Sequence, residues 1–310
     1  MSIDIQAPLR SVLLIGVPDA GKSNFVFRLW LMLHAGTGML SSDGLPADLD
    51  YLNGGGSHLL QGEFAPRTSR EVHDQTEIPV RNTAAGSDFK GTLVVPDLPG
   101  EQILSVYRNR QWSEDWENKI REGCGCLLLI RVDSKELIVQ LDWMSAASHF
   151  GGPVPDTAPE KDEEGKDKPP TQVVLVDWLQ FLRKAFTQKV GGTYRPRIGI
   201  VVSAWDLVPE DQKGDGPAKW VEDNLPLLSQ YVSANYGDFD FEYFGVSVTE
   251  GDFDADPDFK AEYIRRDPRK AGEVVHSLSG EIETTHDVTL PVAWALGLPM
   301  TAATGSAIRP

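Results

Sequence analysis

The octad Gly16-Val17-Pro18-Asp19-Ala20-Gly21-Lys22-Ser23 constrains this chain more than any other stretch of it. It follows an apolar run, Val12 to Ile15, and opens onto Asn24 to Leu33, where apolar residues recur at helical spacing. A buried strand therefore feeds a helix through a turn whose glycines leave the backbone amides uncovered. The pattern G-x-x-x-x-G-K-[ST] in that setting suits an anion, because inward N–H groups and the positive end of a helix face it together. Lys22 would reach the outer phosphates of a nucleotide and Ser23 would offer its hydroxyl to magnesium, with Gly16, Asp19, Ala20, Gly21 and Asn24 completing the candidate cradle. A glycine turn with an incidental lysine is the plainer reading, and the strand-turn-helix context argues against it.

Other short apolar runs recur at Thr92 to Val95, Cys124 to Val132 and Arg197 to Val202, with further strand candidates at Glu77 to Arg81 and Phe241 to Val248. Runs of this length without polar alternation are strands covered on both faces. A helical pattern lies between two of them at Val173 to Phe186. Strands alternating with helices predict an α/β fold of three layers around a mainly parallel sheet. Two stretches interrupt the alternation. Residues 35–75 are rich in Gly, Ser and Asp, and residues 151–172 are rich in Pro, Gly and acidic side chains, which reads as a solvated loop. The strand pattern resumes after each, so the expectation is one domain over residues 1–300 with two insertions and a flexible tail at 301–310.

The 310 residues are 41% apolar and 24% charged, a folded composition. The net charge of −17 sets the protein against phosphate backbones and anionic lipid, so neither nucleic acid nor a membrane surface is an expected partner. Cys124 and Cys126 lie too close together to staple a domain and are too few for a zinc site; they read as buried thiols of a cytoplasmic protein. The alternating carboxylates Asp252, Asp254 and Asp256 imitate a calcium loop, but Pro257 and Tyr263 stand where such a loop needs glycine and glutamate. No G-x-S-x-G nucleophile turn is present.

Downstream of the phosphate loop, Thr92-Leu93-Val94-Val95-Pro96-Asp97-Leu98-Pro99-Gly100 carries an acid at the end of an apolar strand. Asp97 can hold magnesium through water, and the Gly100 N–H can meet a terminal phosphate. At this point the chain resembles a P-loop GTPase of the translation-factor and Ras-like (TRAFAC) class. The resemblance implies a third signature, N-K-x-D, that reads guanine; here Ser203-Ala204-Trp205-Asp206 stands in its place, so Asp206 is the candidate base-reading carboxylate on an altered platform. Ser247, in Gly245-Val246-Ser247-Val248-Thr249, matches the weak base-contacting loop of that class. The resemblance also implies a magnesium-binding switch threonine, for which Thr68 is preferred over Thr76, with Arg67 beside it. Glu101 follows the D-x-x-G glycine where Ras-like enzymes carry the glutamine that orients water. A carboxylate next to a polyanion is unfavourable at short range, so slow intrinsic hydrolysis is expected.

The phosphate loop, DLPGE at Asp97 to Glu101, SAWD at Ser203 to Asp206 and a closing helix near Asp287 to Leu296, of which only the first is specific, together resemble most closely the bacterial double-GTPase family, or its near relatives, of predicted conflict and defence operons. That resemblance implies GTP and GDP as ligands with Mg2+, and an associated adaptor or effector protein as partner. A P-loop ATPase or kinase would share the cradle without needing Asp206, and a noncatalytic nucleotide-binding scaffold would be consistent with Glu101.

Overall fold

Burial of Val12, Leu13, Leu14 and Ile15 to 2% exposure or less makes the first apolar run a central strand. The computed structural model describes residues 11–17, 19–65, 75–96, 106–110, 125–134, 169–189, 195–253, 255–267 and 271–300. Among these the strands are β1 (Ser11–Gly16), β2 (Leu40–Ser42), β3 (Gln75–Asn82), β4 (Lys90–Pro96), β5 (Gly125–Arg131), β6 (Arg197–Ser203), β7 (Asp240–Ser247), β8 (Glu273–His276) and β9 (Glu283–Thr285). They form a 9-stranded sheet in the order β2-β3-β4-β1-β5-β6-β7-β8-β9. The strands β4-β1-β5-β6-β7 run parallel, which places their carboxyl ends along one edge. Antiparallel pairs flank them on both sides, so the sheet is mainly parallel at its centre and mixed at its margins.

The helices are α1 (Lys22–Ala35), α2 (Leu49–Leu60), α3 (Thr171–Lys189), α4 (Glu210–Lys213), α5 (Gly216–Asn224), α6 (Pro226–Ala234), α7 (Pro257–Arg265) and α8 (Leu290–Ala295). The continuous burial of β5 and β6 requires cover on both faces, as the lack of polar alternation implies. α8 supplies part of it: a Cβ at Gly125 would lie 2.5 Å from the Ala295 carbonyl oxygen, so only glycine lets the helix come this close. Arg197 Nη1 donates to the Trp294 carbonyl at 2.7 Å from the adjacent strand.

The stretch read as an insertion over 35–75 holds regular structure. β2 and α2 both lie within it, and its glycines, although poor helix formers, are what allow α2 to pack. A Cβ at Gly55 would stand 2.3 Å from the Phe27 ring, and one at Gly56 would stand 3.2 Å from Leu31 Cδ2. Close approach of α1 and α2 outweighs the low helix propensity of glycine. Trp30 Nε1 donates to Asn53 Oδ1 across the same contact at 2.9 Å. The calcium-like acids have a local job, since Asp256 Oδ1 accepts from the amides of Asp258 and Phe259 and caps α7. Cys126 is fully buried in β5, as expected for a thiol in an apolar run, and burial pushes its pKa well up. Cys124 and the tail at 301–310 lie outside the described residues.

Candidate nucleotide site

At the carboxyl end of β1 the chain has almost no room. A Cβ at Gly16 would lie 2.9 Å from the Leu129 carbonyl oxygen and 3.0 Å from Ala20 Cβ, which restricts that position to glycine. The loop then turns through positive φ at Asp19 (62°) and at Gly21 (79°) before α1 begins at Lys22. The chain reverses tightly here, with the Ala20 amide donating to the Val17 carbonyl at 3.2 Å, and left-handed residues among right-handed ones are the kind of turn from which anion nests are built. Gly21 provides no side-chain cap and no acidic residue lies in the first turn of α1, so the helix's own first turn does not offset its positive end. Lys22 arches back over the loop and donates to the Gly16 carbonyl at 2.6 Å. Ser23 follows in the same first turn.

Two strands away, β6 delivers the stretch that the sequence set against N-K-x-D. Ser203 is 5% exposed, and its hydroxyl donates to the Ala20 carbonyl at 2.7 Å. The residue that departs from the expected asparagine therefore still grips the loop between β1 and α1. Ala204 takes a left-handed conformation (φ 55°, ψ 43°), and a short 3-10 turn, Trp205–Leu207, carries Asp206. Trp205 is the wedge under that turn: it is 1% exposed, and its ring would lie 2.4 Å from any Cβ at Gly245. Asp206 Oδ1 accepts from the Ser247 hydroxyl at 2.6 Å, and the Ser247 oxygen accepts from the Glu250 amide at 2.8 Å. The ends of β6 and β7 thus join the two base-site candidates.

Other candidates have less expected surroundings. Asn24 directs its Oδ1 to the Ala65 amide at 3.2 Å, tying α1 to the chain that leaves α2. Asp19 lies within 3.4 Å of the Ser134 hydroxyl and 3.8 Å of the Arg131 guanidinium, both just beyond β5 or at its end. Neither partner stood out in the sequence, because no spacing rule links residue 19 to residues 131 and 134. Thr76 sits inside β3 opposite Val95 and is 5% exposed, so it is a ladder residue and not part of a loop. Thr68, Arg67, Asp97, Gly100 and Glu101 lie outside the described residues. Near the base-site pair, Glu273 has its pKa raised, by burial first and then by Glu250, with Asp206 adding to it and Lys213 and His286 opposing.

Residues 13–295 match the family described as Double-GTPase 1, which is most of the chain. The chain belongs to the Double-GTPase 1 family. It is accordingly a GTP-binding protein and a GTP hydrolase with a P-loop. Among solved structures it is similar to the signal recognition particle receptor SRb-GTP/SRX complex from Chaetomium thermophilum, at 19% identity and a TM-score of 0.36 over 79% of this chain and 93% of that one. It is also similar to Methanosarcina barkeri Roco2 RocCORdC bound to GDP, at 11% identity and a TM-score of 0.30 over 84% of this chain and 48% of that one. A bacterial selenocysteine-specific elongation factor matches at 11% identity and a TM-score of 0.32, over 87% of this chain and 34% of that one. No curated protein sequence matches the chain. Among the described residues, no helix of this family member is long and apolar enough to cross a membrane.

Proposed function

We propose that this Double-GTPase 1 protein is a magnesium-dependent guanine-nucleotide switch that turns over slowly unless a partner protein assists it. The observation that carries the reading is the Ser203 hydroxyl bonded to Ala20, because it joins the phosphate loop to the strand that presents Asp206. GTP would lie along the carboxyl edge of the sheet, phosphates in the loop from Gly16 to Ser23 and base against Asp206. Lys22 would exchange the Gly16 carbonyl for phosphate oxygen, at little cost because one charged hydrogen bond replaces another. The Asp206 carboxylate would accept from the guanine N–H groups, held in orientation by Ser247. An adenine presents no such pair of donors there, which is the physical basis for preference.

Magnesium suits the donor types that the sequence supplies. Ser23 and Asp97 are hard oxygen donors, and Thr68 is a third candidate. β1 and β4 are parallel and paired from Ser11 with Thr92 to Leu13 with Val94, so both strands lead the chain to the same end of the sheet. When bound, the ion would neutralise charge on the outer phosphates. Gly100 would give its N–H to the terminal phosphate, and Glu101 would orient water less well than a neutral amide does, which supports slow hydrolysis. Thr68 and Gly100 would then tie their loops to the terminal phosphate and release them after hydrolysis, exposing or withdrawing a surface for an effector or adaptor. The family and the motif resemblance support a place in a bacterial conflict or defence system, in the cytoplasm.

Calorimetric titration with GDP, GTP and ADP, with and without magnesium, tests the reading, together with single-turnover phosphate release. Tight guanine binding that Asp206→Asn abolishes, and phosphate release that accelerates with a partner, are the expected results. Equal affinity for GDP and ADP in the native protein would overturn the assignment of Asp206.

A further inference from the structure

Arg28 is a fully buried arginine on α1, and the chemistry above gives it no task. A guanidinium taken out of water is costly unless its donors are well matched, so its partners show what its position is for. Its Nε donates to the Val248 carbonyl at 2.7 Å. Its Nη2 donates to the hydroxyl of Tyr263, itself fully buried on α7, whose ring centroid lies 5.9 Å from the guanidinium carbon. Val248 directly follows Ser247, the residue that holds Asp206.

The contacts continue around the loop. Glu250, at a positive φ of 68°, donates its amide to Ser247 Oγ and accepts the Gly272 amide on Oε1 at 2.9 Å. Gly272, at φ 104°, lies so close that a Cβ there would be 3.4 Å from Arg28 Cδ and 3.5 Å from the Ser247 carbonyl oxygen. The loop after β7 is thus pinned from its outer side by Glu250 and from its inner side by Arg28. The inner pin comes from the same helix that begins with Lys22 and Ser23.

We propose that Arg28 is a positioning residue for base recognition: by fixing the Val248 carbonyl it holds Ser247 against Asp206 and couples the purine end of the site to the phosphate-binding helix. This rests on Asp206 reading the base. Arg28 does not touch nucleotide, and its contribution falls on the base half of the ligand and not on the phosphate half.

The test measures affinities of GDP, ADP and inorganic pyrophosphate, each with magnesium, for the native chain, Arg28→Gln and Tyr263→Phe. Loss of a hydrogen bond from a charged donor predicts that Arg28→Gln weakens GDP by about tenfold or more. Pyrophosphate affinity should stay within about twofold, as for a site remote from the change, so that the preference for GDP over ADP collapses. Tyr263→Phe keeps the ring and removes one acceptor; a smaller loss of GDP preference in the same direction is expected. Should Arg28→Gln not fold, Tyr263→Phe carries the test, and an unchanged GDP-to-ADP ratio in it overturns the proposal. Equal weakening of GDP and pyrophosphate also overturns it, since that is what general loosening of the fold would give. A native chain without preference for GDP removes the base reading itself, a failure visible before any variant is made.

Discussion

Ser203→Ala isolates the bond on which the assembled site depends. The hydroxyl is buried, lies 2.7 Å from the Ala20 carbonyl oxygen, and is replaced by a hydrogen atom, so almost no cavity is created. A neutral hydrogen bond contributes about 1 kcal/mol net, and a buried carbonyl left without its partner costs about 1–3 kcal/mol. The variant should therefore lose about 2 kcal/mol of folding stability, near the middle of that range. At about 2–4 °C per kcal/mol for a chain of this size, the melting temperature falls by about 4–8 °C. The loop freed by the change is the one whose amides would wrap the phosphates, so GDP affinity should drop by about tenfold as well. Urea denaturation of the free protein and calorimetric titration with GDP read the two effects separately. Stability unchanged within about 0.3 kcal/mol, with GDP affinity intact, would refute the claim that this serine seats the loop.

Lys22→Ala should abolish stabilisation by nucleotide: added GDP at a hundred times the native Kd raises the native chain by about 2.7 kcal/mol and the variant by almost nothing, as read by thermal shift. Gly55→Val forces side-chain atoms into the Phe27 ring, which the Tyr51 ring abuts at a centroid distance of 5.0 Å, and should cost about 1–3 kcal/mol by chemical denaturation. Glu242, in β7, has a carboxyl pKa raised chiefly by burial, against the pull of the Tyr243 amide and the Ser277 hydroxyl. A raised carboxyl favours the folded state while protonated, so its contribution is complete below pH 4.5 and is lost as pH rises through the folded value. Glu242→Gln should accordingly stabilise the protein at pH 8 and lose that advantage toward pH 4.5, measured as the difference in denaturation midpoint.

Local chemistry made much of this protein legible in one dimension. An apolar strand followed by two glycines, a lysine and a serine within eight residues specifies a turn and its charge, and only with DLPGE at Asp97 to Glu101, SAWD at Ser203 to Asp206 and the closing helix did the pattern point to a P-loop GTPase and the double-GTPase family. Buried parallel strands were equally visible, because cover on both faces leaves no polar alternation to confuse them. The pairing of residue 20 with residue 203, of Arg28 with Val248 and Tyr263, and of Asp19 with Arg131 was decided only when the sheet brought distant strand ends together. The same holds for α2, whose triple glycine argues against a helix until Phe27 and Leu31 of α1 occupy the space that side chains would need. Hydrogen bonds and close packing depend on where two segments meet, and a linear pattern carries no record of what lies across the gap.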